Sequence, residues 1–284
     1  MRLHARSLIL GLLLGSESQG RDGLGVSELL PSCALFGASA NGVRVALARG
    51  VSAGLLVSPR RGHYALGPGA RALADDVGRW RELSGLMVDW SGRWIAVHMR
   101  AAPGIPRPAT RLRSRACSML GLAAFERGLL LRPDNLAGGA AGLRRRLGAL
   151  LPAGVDAGTV FVLDGLSAAD ESRARTLWDG ERLDAGYRET SAGLERWLAA
   201  SAHLPLARAA KESFELGRSA IRRLVFDPLL PAPLVDASAR QRFAATVMRF
   251  DDAGQAIWRR FLASGRHPAD PARPPVSLAM EASR

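Results

Sequence analysis

Apolar residues recur at helical spacing in three successive segments near the start of the chain. Residues 3–15 predict a core helix, which we prefer to a signal peptide because the apolar run is short and charged residues follow it directly. Val26–Phe36 predicts a second helix, and a third is predicted from Ala40 to about Arg49. Ser39 directly precedes it, and serine is a good N-cap. The sequence therefore opens with three helices.

A short basic hairpin is predicted after these helices. Leu55–Ser58 and His63–Leu66 read as strands, and the Pro59-Arg60-Arg61-Gly62 segment between them has turn chemistry. Three helices followed by a basic hairpin predict a winged helix-turn-helix domain, which we place at residues 1–88 with a polar helix at its end.

Strands and helices alternate in the next segment, residues 89–166. The order β-α-β-α-β, with one further edge strand possible, predicts a ferredoxin-like domain with helices on one face of its sheet. The last strand has the apolar character of a parallel strand, and Trp90 and Trp94 are expected to wedge the first domain against this one. The predicted elements are Trp94–Met99, Arg111–Phe125, Gly128–Arg132, Gly142–Leu151 and Thr159–Asp164.

The remainder of the chain is helical in pattern. Residues 167–264 are predicted to form a helical domain, interrupted at the proline-rich segment Asp227–Pro233 and closed by a helix pair ending near Leu262. Residues 265–284 are expected to be a disordered tail. The predicted fold class is therefore α+β, with a winged helix-turn-helix, a ferredoxin-like middle domain and a helical C-terminal domain.

Composition adds an expected partner. Apolar residues make up 48% and charged residues 23% of the 284 residues, as in chains that bury real cores. The formal charge is +13, Lys211 is the only lysine, and the surplus of arginine lies in the first two thirds of the chain. Such a balance indicates a polyanionic partner. That partner is either nucleic acid or an anionic membrane surface. No run approaches the ~18 apolar residues of a membrane span, and with the predicted winged helix-turn-helix we expect double-stranded DNA and no membrane.

The cysteines argue against metal and disulfide chemistry. Cys33 and Cys117 both lie in apolar runs, no Cys-x-x-Cys pair occurs, and the five histidines are scattered. Two buried thiols fit a reducing compartment, so we expect a cytoplasmic protein with no metal and no cofactor.

Several motifs occur in an order that is specific when they are taken together. They are Asn41–Arg49, Gly54–Leu56 with the basic hairpin, Trp90–Trp94, Gly128–Pro133, Leu177–Asp179 with Tyr187, and Arg222–Leu224 with Asp227–Pro231. Over about residues 5–262 the chain resembles the PaaX-type regulators, the family of phenylacetate-catabolism repressors. One departure is that Ala232–Ala239 lacks the Leu-Pro and Trp-Pro-Gly-like elements that usually follow in that family.

The resemblance implies a three-domain regulator. It implies a winged-helix domain, a middle domain similar to the Cas2 nuclease fold and a helical C-terminal domain. It further implies a homodimer that binds operator DNA and is released by an acyl-CoA, such as phenylacetyl-CoA, or a related aromatic metabolite.

Two sets of residues are candidates for these contacts. Asparagine and arginine on a recognition helix can bind adenine and guanine in the major groove, and arginines at a wing tip can reach phosphates or the minor groove. An aromatic metabolite needs apolar walls, and a CoA phosphate needs arginine. The DNA candidates are Ser39, Asn41, Arg44, Arg49, Arg60 and Arg61, and the ligand candidates are Trp178, Tyr187, Arg218, Arg222 and Arg223.

The predicted function is a ligand-responsive repressor of a catabolic operon, and the protein is not expected to be an enzyme. A Cas2-like nuclease is the first alternative, but its metal would need a carboxylate at the end of the first strand, and Ile95–Met99 has none. No hydrolase triad, zinc-protease or phosphate-loop motif occurs either. The second alternative is a basic protein that binds DNA without sequence preference.

Overall fold

The computed structural model describes residues 4–71, 78–99, 107–151 and 155–264. The predicted tail at residues 265–284 lies outside them. Within them, helices predominate and two antiparallel sheets are present, so the predicted α+β class is confirmed.

Three helices and a small sheet form the N-terminal unit. The hairpin strands β2 and β3 pair with each other, and the two-residue strand β1 joins the other edge of β3, giving the antiparallel order β1-β3-β2. The elements are α1 (Ala5–Glu17), β1 (Leu24–Gly25), α2 (Val26–Ala34), α3 (Ala40–Ser52), β2 (Leu56–Arg60) and β3 (His63–Leu66).

Helix α3 begins where the sequence predicts and continues three residues further. The Ser39 hydroxyl accepts a hydrogen bond from the Gly42 amide at 3.1 Å, which caps the first turn. Val43 and Leu47 are buried on the inner face. The helix ends before Gly54, whose φ of +66° favours glycine.

The middle unit is a four-stranded sheet with the strand order β5-β6-β4-β7, in which every neighbouring pair is antiparallel. Two short 3-10 turns, Arg79–Arg81 and Leu83–Leu86, precede it. Its elements are β4 (Trp94–His98), α4 (Arg107–Met119), β5 (Ala123–Glu126), β6 (Leu129–Pro133), α5 (Gly139–Leu150) and β7 (Thr159–Leu163).

Two expectations for the middle unit were wrong. β7 pairs antiparallel with β4, and its apolar residues do not reflect burial on both faces, since Phe161 and Val162 are exposed at the sheet edge. The helix predicted to reach residue 125 ends at Met119. Gly121, at φ +70°, turns the chain there, so the following residues enter β5, the further edge strand.

The two faces of the middle sheet are covered by different parts of the chain. Helices α4 and α5 cover the face that carries Ile95 and Val97. The opposite face carries Trp94, which packs with Trp90, Trp178 and α6 (Ala168–Arg175). The two tryptophans therefore join the sheet to the C-terminal part of the chain, and the expectation that they wedge against the N-terminal domain was wrong.

Three long helices, α7 (Gly180–Ser201), α8 (Leu206–Val225) and α9 (Ala237–Ser264), form the C-terminal unit around Tyr187, Phe243 and Phe250. The expected final helix pair is a single helix. Gly254 does not break it, because this glycine packs against Ser213 of α8. No helix of the described residues is both long and apolar enough to cross a membrane.

The C-terminal helices also share a core with the N-terminal unit. Ala210 of α8 and Trp258 of α9 belong to the same buried cluster as the leucines of α1. Phe214 lies edge-on to Phe36 at 5.1 Å between ring centroids and directly against Gly11 of α1, where a Cβ would approach the ring tip to 2.8 Å. A direct packed contact therefore joins α8 to the N-terminal unit.

Candidate nucleic-acid interface and effector cavity

Helix α3 presents a polar and basic outer face. Val43 and Leu47 point inward, while Asn41, Arg44 and Arg49 are exposed. At 3.6 residues per turn, Arg44 lies about 60° and Arg49 about 80° to either side of Asn41 around the helix axis. The three predicted side chains therefore share one exposed face, whereas the hydroxyl of Ser39 is used as the cap.

Small and apolar groups lie between these polar side chains. Val45, 41% exposed, and Ala48 follow Asn41 along the same face of α3. Asparagine and arginine match the edges of adenine and guanine, and an apolar side chain can contact the methyl group of thymine. The outer face of α3 therefore has the chemistry that base recognition in a major groove requires.

The hairpin tip is basic, exposed and held in place. Arg60 pairs across the hairpin with His63, and Arg61 is in the turn. The Ser58 hydroxyl lies at hydrogen-bond distance from the Arg60 and His63 carbonyls, at 3.0 and 3.1 Å. The Gly62 carbonyl accepts a hydrogen bond from the Val26 amide at 2.8 Å, which ties the tip to the start of α2.

None of the four predicted arginines of this unit, at positions 44, 49, 60 and 61, forms an ion pair with a carboxylate of the described residues. Their charges are thus available to an anionic partner. DNA phosphates attract exposed arginines of this kind strongly.

A cavity of about 690 Å³ lies between the middle and C-terminal units, a volume typical of small-molecule sites. Four of the five predicted ligand residues line it, and Arg218 does not. The lining residues are Trp178, Tyr187, Arg222 and Arg223 from the prediction, together with Ser118, Gly121, Leu122, Ala123, Leu177, Asp179, Arg182, Leu183, Ser219, Phe226, Asp227 and Pro228.

One wall of the cavity is aromatic, and a side chain of the middle sheet packs against its outer side. Trp178 stacks on Trp94 with parallel rings and centroids 6.2 Å apart. The indole N–H of Trp94 donates to Glu171 Oε2 at 2.7 Å, so Trp94 is held at both its face and its edge. The Trp178 ring therefore offers a positioned apolar surface to a ligand.

Arginines surround Phe226 at the cavity. The guanidinium groups of Arg222 and of Arg115, from α4, lie 5.5 and 5.4 Å from the centroid of its ring. Arg222 and Arg182 form no ion pair with the described carboxylates. Arg223 is differently placed, because it donates to the Gly186 carbonyl and, at 2.9 Å, to Thr190 Oγ1. Arg182 and Arg222 are therefore the cations best placed to meet an anionic ligand.

A cluster of three buried polar side chains lies beneath the cavity. Tyr187, Asp227 and Arg240 interact electrostatically there, yet the Tyr187 hydroxyl, Asp227 Oδ2 and two Arg240 nitrogens have no well-aligned hydrogen-bond partner among the described residues. Asp227 Oδ1 accepts from the Leu229 amide at 2.7 Å. Burial raises the pKa of the Asp227 carboxyl and that of the Tyr187 phenol.

The sequence interpretation missed Arg115, Arg182, Phe226, Asp227 and Arg240. A signal existed for Asp227, a carboxylate inside a proline-rich apolar segment and within a quoted motif. Arg115 had none, because only the tertiary fold brings α4 to Phe226. Among the described residues, no group of three or more metal-ligating side chains is placed to hold a metal ion.

Comparison with known proteins gives two findings and one negative result. Residues 178–260 match the sequence profile of the PaaX-like protein C-terminal domain. Among solved structures, an uncharacterized protein, Rv0674 from Mycobacterium tuberculosis, is similar with 24% identity and a TM-score of 0.60, over 93% of this chain and 99% of that one. No curated protein sequence matches. The structural similarity concerns the fold alone.

Proposed function

We propose that this chain, whose residues 178–260 match the PaaX-like protein C-terminal domain, is a sequence-specific, ligand-responsive transcriptional repressor. It acts in the cytoplasm as a homodimer on a palindromic operator. An acyl-CoA or aromatic metabolite, with phenylacetyl-CoA as the first candidate, releases it and so opens a catabolic operon.

The N-terminal unit is, in this proposal, a winged helix-turn-helix. Helix α3 is the recognition helix, and the β2–β3 hairpin is the wing. One observation carries this proposal: the exposed Asn41 and Arg44 and the exposed hairpin-tip arginines lie in one small unit, and these arginines have no ion-pair partner among the described carboxylates. Such side chains suit base edges and phosphates respectively.

The middle unit corresponds to a ferredoxin-like, Cas2-like domain in this proposal, supported by its β-α-β-β-α-β order. Its role is structural rather than catalytic, since β4 ends in His98 and carries no carboxylate for a metal. The cavity beside it binds the effector. Trp178 and Phe226 contact the apolar part, and Arg182 and Arg222 the anionic part.

Ligand release works through α8. This helix carries Arg222 at the cavity and Phe214 against the N-terminal unit, so one rigid element touches both sites. A ligand that displaces α8 changes the placement of α3, and DNA binding must in turn weaken ligand binding by the same factor.

The proposal is tested by fluorescence anisotropy with the promoter region of the chain's own operon, excess competitor DNA, and phenylacetyl-CoA. Wild type should bind a specific site, and the ligand should weaken that binding. Arg44→Gln should lose about 10- to 100-fold in specific affinity, which is the scale of one bidentate base contact, and Arg196→Gln, an exposed arginine of α7, is the control.

Two results would count against parts of the proposal. Equal affinity for promoter and competitor DNA would reject operator recognition and leave a non-specific DNA binder. Specific binding that phenylacetyl-CoA leaves unchanged would reject that effector while retaining the regulator, and other acyl-CoA and aromatic compounds would be tested next.

A further inference from the structure

Helices α4 and α5 form a layer on the middle sheet that carries arginines and no carboxylate. Residues 90–125 contain six arginines and no acid, and residues 135–155 contain three arginines and no acid. The two helices contact each other, and their inner faces are buried against the sheet. We call the exposed side chains Arg111, Arg115, Arg144 and Arg145 the arginine layer.

The charge of the arginine layer is not neutralised within the described chain. None of its four side chains forms an ion pair with a described carboxylate. Arg144 donates to the Val160 carbonyl at 2.7 Å, and Arg115 lies over the Phe226 ring. Both contacts orient the guanidinium groups and leave their positive charge in place.

The composition of this layer matches that of the proposed recognition helix. Among the helices of the described residues, α3, α4 and α5 are those that contain arginine but no acid. Several arginines elsewhere have carboxylate partners, as Arg175 has in Glu171 and Arg81 has in Asp252. The arginine layer thus resembles α3 in carrying arginines on helices that contain no acid, whereas the other arginine-bearing helices contain both.

We infer that the arginine layer binds the phosphates of double-stranded DNA that flanks the segment contacted by α3 and the hairpin. This inference rests on the proposed function, because it takes operator DNA as the duplex. Arginine pairs well with phosphate. The two helices contain neither Asn nor Gln, so they lack the usual partners of adenine and contribute affinity rather than sequence recognition.

A protein partner fits the layer less well. Protein interfaces have an apolar centre with charged residues depleted there. Among the described side chains of α4 and α5, Leu112 is the large apolar one that is clearly exposed, and arginines surround it in sequence. Four cations spread over two helices suit a repeating polyanion such as DNA better than they suit the apolar surface of a protein partner.

The fold also sets how much flanking DNA is needed. Helix α8 contacts the N-terminal unit at Phe214 and approaches the arginine layer at Phe226. Twelve residues of helix separate these contacts, which is about 18 Å along its axis, or about five base pairs of duplex at about 3.4 Å each. Flanks of about 12 base pairs on each side of the operator exceed this span of about five base pairs, so they are long enough for the arginine layer to reach them.

The test compares salt dependence on two duplexes, the minimal operator and the same operator with these flanks. The variant Arg111→Gln/Arg145→Gln removes two exposed charges of the layer. The control Arg196→Gln/Arg242→Gln removes the same charge from exposed positions of α7 and α9. Near-ultraviolet circular dichroism and the thermal midpoint verify that both variants are folded.

On the long duplex, the slope of log K against log salt should become shallower by about 0.9 for each lost phosphate contact, or about 1.8 per protomer. The control should match wild type. Any of three results would overturn the inference. The layer variant could have the same slope as wild type, or the control could lose as much slope as the layer variant. The layer variant could also change oligomeric state and keep the wild-type slope. If wild type does not prefer the operator at all, the proposed function fails, and the slope on the long duplex still tests the layer.

Discussion

Asp227 is the residue whose environment departs most from that of an ordinary surface carboxylate. It is buried near Tyr187 and Arg240, and its Oδ2 atom has no well-aligned hydrogen-bond partner among the described residues. Desolvation therefore raises the pKa of Asp227 above its usual value, despite the opposing effects of the Leu229 amide and Arg240. The folded state binds this proton more tightly than the unfolded chain does.

The raised pKa of Asp227 makes the stability of the folded chain depend on pH. Between the unfolded pKa of about 3.9 and the raised folded pKa, the unfolded chain binds fewer protons, so the free energy of unfolding falls as the pH rises. Asp227→Asn removes the ionisable group, so this fall in the free energy of unfolding should disappear, and the asparagine keeps an acceptor for the Leu229 amide. We expect the thermal midpoint of the variant, relative to wild type, to be higher at pH 8 than at pH 4.5, as measured by calorimetry.

A matched control is Asp164→Asn, which makes the same substitution at an exposed aspartate after β7. A constant difference between Asp227→Asn and wild type from pH 4.5 to pH 8 would contradict the prediction, because it would mean that the Asp227 carboxyl titrates alike in the folded and unfolded chain.

Single residues also show how far the sequence could predict the candidate site. Trp178, Tyr187, Arg222 and Arg223 were predicted because aromatic and arginine side chains recur in the quoted motifs, and all four line the cavity. Arg218 precedes Arg222 by about one helical turn, and it does not line the cavity, which α8 borders at Ser219, Arg222 and Arg223.

Element boundaries could be predicted where local chemistry determines them. The cap at Ser39 and the basic hairpin tip are examples, since both depend on neighbouring residues. The β5 strand and the antiparallel pairing of β7 could not be predicted in this way. They depend on β6 and β4, which contact them across the sheet and are distant in sequence.

Helix α8 borders the cavity and also contacts the N-terminal unit, and Phe214 is one of its contacts there. We expect Phe214→Ala to weaken the coupling, so that phenylacetyl-CoA changes DNA affinity by a smaller factor than in wild type. Loss of the ring against Phe36 and Gly11 should also reduce stability, by about 2–4 kcal/mol for a half-buried phenylalanine. Ligand affinity in the absence of DNA, measured by calorimetry, should remain close to that of wild type.

Leu216 provides the control for this prediction, since it is 37% exposed on the same helix. Leu216→Ala removes apolar volume from α8 outside the buried cluster that this helix shares with α1, and its ligand effect on DNA affinity should equal that of wild type. An unchanged ligand effect in Phe214→Ala would show that the coupling does not pass through this contact.

At the scale of the whole molecule, the middle sheet and the C-terminal helices are joined by a buried polar connection. Arg132 of β6 is completely buried, and burial lowers its pKa to about 9, so it is still charged at neutral pH and needs acceptors. Its Nη2 donates to Asn135 Oδ1 at 3.0 Å, and Asn135 Nδ2 donates to the Leu229 carbonyl at 2.7 Å. Asn135 thus links the sheet to the connection between α8 and α9.

Replacement of Asn135 should therefore affect the cohesion of the whole chain rather than one local site. Asn135→Ala leaves an Arg132 donor and the Leu229 carbonyl without this partner, and each such loss costs about 1–3 kcal/mol. We expect urea unfolding followed by fluorescence to show a lower midpoint. Asn135→Asp keeps an acceptor for Arg132 and adds a negative charge beside it, but it replaces the donor to the Leu229 carbonyl by an oxygen, so its midpoint should lie between those of Asn135→Ala and wild type. If Asn135→Asp were as unstable as Asn135→Ala, the hydrogen bond to Leu229 would contribute more to stability than the acceptor that Asn135 offers to Arg132. The main role of Asn135 would then be to fix the segment between α8 and α9.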